Sequence, residues 1–419
     1  MLTKAPRGTK DILPAEVYKW QYIENTITEV CNKFGYRQIR VPVFEHTELF
    51  EHGVGDTTDV VQKEMYTFPD KGGRSITLRP EGTSGVVRAY VENNLYAAPA
   101  PVKLYYILSC YRYEKPQAGR LREFNQFGIE LFGADTPQSD GEVLLLAHHF
   151  MQKLGLKNFK LYINSIGCDK CRPRYNKKLI EYFTEHQDKL CGTCRERLTK
   201  NPMRIIDCKN KPCKAIGESA PMLIEEQCPD CKAHFEKVKE FIASAGVEFE
   251  IDPTIVRGLD YYTTTVFEIK VDGVVICGGG RYNNLVEQIG GPPSPGIGFG
   301  LGLERLIIAL ENENLFPENK DCVNIFIAAI GENAAKKAFA YVSELRKNEI
   351  SAQNDLLNRS IKSQMKYADK IGAEYVLVLG DDEISSGIGK LKNMRTGAET
   401  AVKLEDLTAQ LIQIIKIGE

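Results

Sequence analysis

Near residue 320 the chain changes its patterning, and that change limits the folds open to it. From there VNIFIAAI, AAKKAFAYVSELRK, ISAQND, SIKSQMKYADKIG, EYVLVLG and a final helical stretch alternate strand with helix. Such alternation predicts a separate α/β domain of roughly a hundred residues, over 322–419. The acidic, Asn-containing run ENENLFPENKD (311–321) reads as the linker before it. A chain of 419 residues is expected to hold two or three domains.

Upstream the signals are of another kind. Residues 15–34 are predicted as an amphipathic helix closed by Gly35. YRQIRVPVF (36–44) is extended, and Pro42, which removes a ladder donor, predicts an edge or interface strand. Residues 82–95 read as helix, as do 140–154, ending at Gly155. From Val102 to Phe132 two β-favouring runs flank the polar loop EKPQAGR (114–120), a long hairpin. VFEIKVDGVVI (266–276) is a second hairpin with Asp272-Gly273 as its turn. The glycine-rich CGGGRYNNL (277–285) follows, then PGIGFGLGLERLIIAL (295–310), a strand running into a helix.

Residues 165–245 differ from both regions, being Cys-rich, Lys/Arg-rich and helical in pattern, and read as an insertion. Net charge is −2, so any RNA contact has to be local. Between Cys168 and Lys214 there are 13 Lys and Arg against 6 Asp and Glu, an excess of +7. Taken by itself, that excess is better accounted for by a solvated helical face than by an RNA contact. The N-terminus shows no apolar signal region, and no apolar run is long enough to span a bilayer, so the expected location is cytoplasmic, with no membrane partner. Twelve cysteines in such a chain argue against a disulfide framework. Eight of them form pairs: Cys168/Cys171, Cys191/Cys194 and Cys228/Cys231 as CxxC, and Cys208/Cys213 wider. Two pairs complete one tetrahedral zinc site, so up to two Zn²⁺ sites are open. Buried reduced thiols and a redox pair are the other readings; the latter lacks its usual strand–CxxC–helix setting.

Three runs carry chemistry. Tyr111-Arg112-Tyr113-Glu114, followed by Arg120, Arg122 and Phe124, offers guanidinium groups that pair bidentately with charge on phosphate oxygens, beside an aromatic that can stack. Gly300-Leu301-Gly302-Leu303-Glu304-Arg305 lets backbone approach a nucleotide and opens a helix with an Arg. Its GxGxGxG spacing is not the dinucleotide fingerprint, and no GxxxxGK[ST] loop occurs. RGLDYYTTTVFE (257–268) packs a cation, a carboxylate and two tyrosines into six residues, suiting a pocket for an anion and a polar aromatic group.

In order and spacing these runs resemble motifs 2 and 3 of class II aminoacyl-tRNA synthetases, with Pro42 in the place of motif 1. RGLDYYTTTVFE resembles the histidine-binding motif of the histidyl-tRNA synthetases. The resemblance implies an α+β catalytic core, an antiparallel sheet flanked by helices, over 1–164 and 246–316. It implies a helical Cys-rich insert over 165–245 and an α/β anticodon-binding domain over 322–419. The implied activity is a ligase that joins histidine to ATP as histidyl-adenylate, with Mg²⁺ on the phosphates, and passes histidine to tRNA(His). A homodimer built through motif 1 is implied with it. Arg112, Glu114, Phe124 and Arg305 would bind ATP, and Arg112, Arg257 and Arg305 would carry the catalytic charge. Glu81 and Thr83 in TLRPEGT (77–83), with Gln126 and Glu130 in FNQFGIELFG (124–133), would hold histidine, the last two at its α-amino group. Being four apart on a strand, Gln126 and Glu130 share a face. Tyr261 and Tyr262 would line the imidazole pocket, and loop 114–120 would reach the tRNA acceptor end. Many members lack the cysteines, so zinc would staple the insert rather than serve the chemistry. Asn283 and Asn284 depart from the family's GGRYDGL, and Thr264 stands where Gly is frequent. A regulatory paralogue in histidine biosynthesis is the alternative function; such proteins typically lack the C-terminal domain and lose synthetase residues. A zinc-dependent RNA-binding module is a further rival.

Overall fold

Strands of very unequal length build the N-terminal part of this computed structural model, which describes residues 3–55, 58–319 and 323–417. They are β1 (Arg37–Gln38), β2 (Phe44–His46), β3 (Tyr66–Pro69), β4 (Ser75–Leu78), β5 (Val102–Tyr111), β6 (Glu123–Phe132), β7 (Phe159–Ser165), β8 (Glu250–Ile251), β9 (Thr263–Val271), β10 (Val274–Arg281) and β11 (Gly296–Gly302). Eight of them form one sheet in the order β1-β5-β6-β11-β10-β9-β7-β8, and β2-β4-β3 form a small second one. The large sheet is antiparallel except at its two edges, where β1 runs parallel to β5 and β8 to β7.

Alternation along the strands separates two faces. Phe127, Ile129 and Leu131 of β6, Ile297, Phe299 and Leu301 of β11, and Phe267 and Ile269 of β9 point one way and are buried. They pack against Ile23, Ile27 and Val30 of the Pro14–Lys33 helix and Val143, Leu144 and Phe150 of the Pro137–Lys153 helix. Full burial of each such side chain contributes about 1.5–3 kcal/mol. Both helices start with Pro in the first turn; the second is also capped by Thr136, whose Oγ1 accepts the Ser139 N–H at 3.2 Å. The first gives way to Gly35 at φ +76°.

The opposite face is nearly bare. Register places Gly128 of β6 opposite Gly300 of β11, Gly300 opposite Gly278 of β10, and Gly278 opposite Glu268 of β9. One row on, Glu130, Gly298, Gly280 and Val266 follow one another across the same strands. The hairpin turn Asp272-Gly273 joins β9 to β10 with positive φ at both residues. Onto this face fold the first three helices of the cysteine-rich segment, Cys171–Glu185, Gly192–Lys200 and Lys211–Glu218, while its last, Pro229–Ser244, packs Phe235, Val238 and Ile242 into the core on the other face. Tyr175, Leu179, Phe183 and Ile205 from it share one apolar cluster with Tyr106, Val266, Tyr261 and Tyr282. Pro42 does not lie in a strand as expected: the 36–44 stretch breaks into β1 and β2 in different sheets, and Pro42 sits exposed between them.

Contacts divide the chain into Met1–Phe316 and Pro317–Glu419. The second unit holds β12 (Ile325–Ala329), β13 (Ala352–Asn354), β14 (Tyr375–Leu379), β15 (Ile388–Asn393) and β16 (Glu399–Lys403), ordered β13-β12-β14-β15-β16. Helices Glu332–Lys347 and Ile361–Lys370 connect its three parallel strands. Strict alternation continues through the short Asp381–Ser386 helix and fails after β15, which forms with β16 an antiparallel hairpin that the apolar pattern did not announce. Of the expected linker, Lys320 and Asp321, and the following Cys322, lie outside the described residues.

Candidate active site

Above the bare face of the sheet opens a cleft of about 690 Å³. Glu81, Thr83, Arg112, Glu114, Phe124, Gln126, Arg257, Tyr261, Tyr262 and Arg305 all line it, so residues from five separate runs of sequence meet in one place. The long hairpin delivers Arg112 from the end of β5 and Phe124 and Gln126 from β6. The Arg112 guanidinium lies over the Phe124 ring, 5.4 Å from its centroid, and its Nε donates to Pro80 O at 2.7 Å. Glu114 pairs with Arg120 at 2.7 Å. Arg305, in the first turn of the Leu303–Asn312 helix, donates to Val275 O at 2.6 Å. Glu304 accepts from the Asn125 N–H at 2.7 Å, which ties the helix start to the hairpin. Burial raises the Glu304 carboxyl.

Glycines make room for these groups. A Cβ on Gly278 would fall inside the Arg257 guanidinium, and one on Gly298 inside the Glu130 carboxylate. On Gly300 it would lie 2.6 Å from the Gln126 amide, and on Gly128 inside the Tyr106 ring. The functional side chains therefore lie flat on backbone. Arg257 is held there by Glu268 at 2.5 Å, with the Tyr262 ring centroid 5.9 Å from its guanidinium. Glu268 belongs to RGLDYYTTTVFE itself, eleven residues from Arg257; its role as counter-ion became visible only with the strand pairing.

Glu81 does not stand free in the cleft. Its two oxygens accept the N–H groups of Thr83 at 2.7 Å and Ser84 at 2.8 Å, capping the first turn of the Thr83–Glu92 helix. Gln126 Oε1 accepts the Gly82 N–H at 2.9 Å, so the two segments expected to bind one ligand are bonded to each other. Glu130 is placed differently from the others. It does share the face of Gln126, yet it is wholly buried beneath the cleft surface rather than on it. Its carboxyl meets the hydroxyls of Tyr282 and, at 3.3 Å, Tyr106. Burial pushes its pKa up to about 8 despite those donors. Neither tyrosine was singled out from sequence; Tyr106 is one of several aromatics in β5, and its partner glycines lie 24 residues before it and 22 after.

Eight cysteines gather into two groups of four: Cys168, Cys171, Cys228 and Cys231, and Cys191, Cys194, Cys208 and Cys213. Within each, all Sγ atoms lie within 4.8 Å of one another. Cys168 Sγ is 3.8 Å from Cys171 Sγ and 3.9 Å from Cys228 Sγ, and Cys171 Sγ is 3.9 Å from Cys231 Sγ. Tetrahedral zinc with Zn–S near 2.3 Å requires sulfurs about 3.8 Å apart, so the donor set fits the ion. The backbone N–H groups of Cys228 and Cys191 donate to Cys171 Sγ and Cys213 Sγ, each at 3.2 Å, and oppose the rise that burial imposes on both thiols.

Comparison with known proteins now bears on this geometry. The family model described as histidyl-tRNA synthetase matches residues 8–170 and 194–306, and one described as anticodon binding domain matches 324–414. The chain belongs to the histidyl-tRNA synthetase family. It is 57% identical over 416 residues to the histidine–tRNA ligase of Acetivibrio thermocellus, covering 98% of this chain and all of the relative. Against the histidine–tRNA ligase of Clostridioides difficile the identity is 53%, over 99% of this chain and all of that one. The crystal structure of apo Staphylococcus aureus histidyl-tRNA synthetase superposes with a TM-score of 0.84 at 41% identity, covering 98% of this chain and 100% of that one. A second unit matching the anticodon-binding family and full-length similarity to named ligases set aside the regulatory paralogue.

Two departures from the histidyl-tRNA synthetase pattern find their physical account. Thr264 adopts φ +43°, in the region that glycine occupies without cost. Its buried Oγ1 has no partner among the described residues. Asn283 and Asn284 turn to carboxylates, Asp135 at 3.1 Å and Asp169 at 2.9 Å, keeping the loop tied without the missing charge.

Proposed function

We infer that the chain activates histidine with ATP and transfers it to tRNA(His). The observation that carries this reading is the convergence of Arg112, Arg257 and Arg305 with the histidine-motif tyrosines around one glycine-floored cleft. Adenylate formation is an in-line attack of the histidine carboxylate on the α-phosphorus, with pyrophosphate leaving. Negative charge grows on oxygens, and fixed guanidinium groups in a half-buried cleft stabilise it. Arg257 suits the reacting centre because Glu268 and the sheet hold it in place before substrate arrives. Arg112, anchored at Pro80 O, and Arg305, anchored at Val275 O, suit the triphosphate. Phe124 offers adenine a stacking surface. Glu81, Thr83 and Gln126 suit the α-amino group, and Tyr261 and Tyr262 the imidazole, whose either tautomer a hydroxyl can serve. Glu130, whose pKa burial raises, lies deeper than the others beneath this pocket and, beside Gln126, is proposed for the α-amino group.

Mg²⁺ supplies positive charge to the phosphates when ATP is bound; Glu114 and Glu304, both on the cleft wall, offer the oxygen donors that a hard cation takes. Zinc fits both cysteine groups, where it would staple a segment whose short helices bury little apolar surface. Exposed Val43 and Phe44, 41% and 58% accessible, support a homodimer through the segment next to Pro42. No helix among the described residues is long and apolar enough to cross a membrane. Charging tRNA places the protein in the cytoplasm.

ATP–pyrophosphate exchange assayed with each amino acid in turn tests the reading. Exchange stimulated by histidine alone is expected; no exchange with any amino acid rejects it. Elemental analysis after a chelator-free preparation tests the metal, and less than about half an equivalent of zinc removes it, since structural sites bind tightly.

A further inference from the structure

The second group of thiols belongs to the cleft as much as to the insert. Cys191 and Cys208 line the cleft, together with Arg197 and Arg204 from the chain between them. The two helices that carry Cys194 and Cys213 each bury one residue more, Leu198 in Gly192–Lys200 and Gly217 in Lys211–Glu218, and the apolar anchor between them is the short turn Pro202–Ile205. Helices of nine and eight residues with so small an apolar face do not hold their own position.

Two side chains in this stretch, Asn201 and Arg204, nevertheless hold the active-site run in place, and Arg197 braces the second of them. Arg197 Nη2 pairs with Asp59 at 2.7 Å, and its Nη1 donates to Arg204 O at 3.1 Å. Asn201 Nδ2 donates to Asp260 Oδ1 at 3.0 Å. Arg204 Nη1 donates to the carbonyl of Arg257 itself at 3.3 Å. Asp260 N–H is bonded to Val54 O at 3.1 Å, so the Arg257–Asp260 backbone lies between the insert and the core. From the other thiol group, Arg172, next to Cys171, donates to Tyr262 O.

We propose that Cys191, Cys194, Cys208 and Cys213 form a tetrathiolate site for a soft divalent cation, zinc in class, whose role is positional. It fixes Asn201 and Arg204 so that they hold the Arg257–Asp260 segment over the glycine floor. Asn201 and Arg204 are positioning residues that act through Arg257, and the metal is part of the active-site wall. This rests on the reading of the cleft as the site of histidine activation.

The test compares the full-length parent with Cys208→Ser, Arg204→Ala, Arg204→Lys and Asn201→Ala, all prepared without chelator. Zinc content, hydrogen exchange at the Asp260 amide, and kcat and KM for histidine-dependent exchange are measured on each. Cys208→Ser is expected to bind one zinc fewer per chain than the parent and to lose protection at Asp260. Its kcat should fall about tenfold or more, the scale of a lost bond to a charged group, with KM for ATP little changed. Arg204→Ala should keep the zinc and lose both protection and kcat, and Arg204→Lys should recover part of each. Parental protection and kcat in Arg204→Ala and Asn201→Ala overturn the proposal, as does a Cys208→Ser protein that loses its zinc with no other change. If Cys208→Ser does not fold, the Arg204 and Asn201 variants decide. If the parent shows no histidine-dependent exchange, the functional reading fails, while protection at Asp260 still judges the positioning role.

Discussion

Arg257 shows how a single residue can be identified by sequence while its surroundings are not. The cation, its glycine neighbour and the two tyrosines were all legible in RGLDYYTTTVFE. That Glu268 neutralises it, and that Gly278 lies beneath it, depends on strand register. Arg257→Ala is expected to lower kcat for adenylation by roughly 10²–10³-fold, the scale of removing a preorganised charge at the reacting centre, with a much smaller change in histidine affinity. Equal losses in both, from exchange kinetics and calorimetry, would make Arg257 a binding residue instead. Glu130 carries a pH dependence. Its folded pKa of about 8 stands above the ordinary 4.5, so the unfolded chain gives up the proton first as pH rises. Glu130 therefore costs stability increasingly across that window, by at most about 1.4 kcal/mol per pH unit, and no further above it. Glu130→Gln should flatten the decline in melting temperature between those limits; parallel curves for parent and variant would refute it. At Thr264 the backbone is strained, and Thr264→Gly should raise stability by about 1 kcal/mol in denaturant unfolding.

At the scale of elements, the hairpins and first helices could be read because their signals are local: Asp272-Gly273 in a turn, Gly35 past a helix, alternation along β5 and β6. The glycine floor could not. GxGxGxG in β11 says that something approaches closely, but what approaches is Gln126 and Glu130 of β6, distant in sequence, just as Arg257 lies on Gly278 of β10. The same glycines separate two kinds of damage. At Gly278 a methyl meets the movable end of Arg257, whereas at Gly298 it meets the Ile129 carbonyl as well as Glu130. Gly278→Ala should thus unfold close to the parent in denaturant yet lose most exchange activity. Gly298→Ala should be destabilised by about 3 kcal/mol or more, because strand backbone must shift. Similar stability in the two variants would count against the floor. Pro42 and the β15–β16 hairpin escaped the sequence for the opposite reason: short strands of mixed polarity look the same whichever sheet accepts them.

For the whole molecule, the patterning change near residue 320 marked its division. The insert was legible as a distinct composition, but its place against the cleft was not, since cysteine spacing reports pairing and not location. Asp140 shows how firmly it is joined. Burial alone would push this carboxyl up, yet His234 of the insert and Arg281 of β10 hold it below the usual range, and the Thr265 hydroxyl of β9 donates to it at 2.6 Å. Of the insert's cations over 168–214, Arg172, Arg197 and Arg204 are engaged at the cleft, and the exposed lysines remain for phosphates. Reversing the exposed Lys177 and Lys189, which lie outside the cleft, to Glu should weaken tRNA binding and flatten its salt dependence while leaving histidine-dependent exchange intact; unchanged binding would confine the insert to the cleft. The backbone floor also bears on how this catalyst can be changed. Natural variation and directed evolution work by exchanging side chains, and across Gly128, Gly278, Gly298 and Gly300 there are none to exchange and no room to add one. A library selected for a different amino acid would be confined to the walls, at Tyr261, Tyr262, Thr83 and Gln126, so the floor acts as a brake on drift in substrate choice.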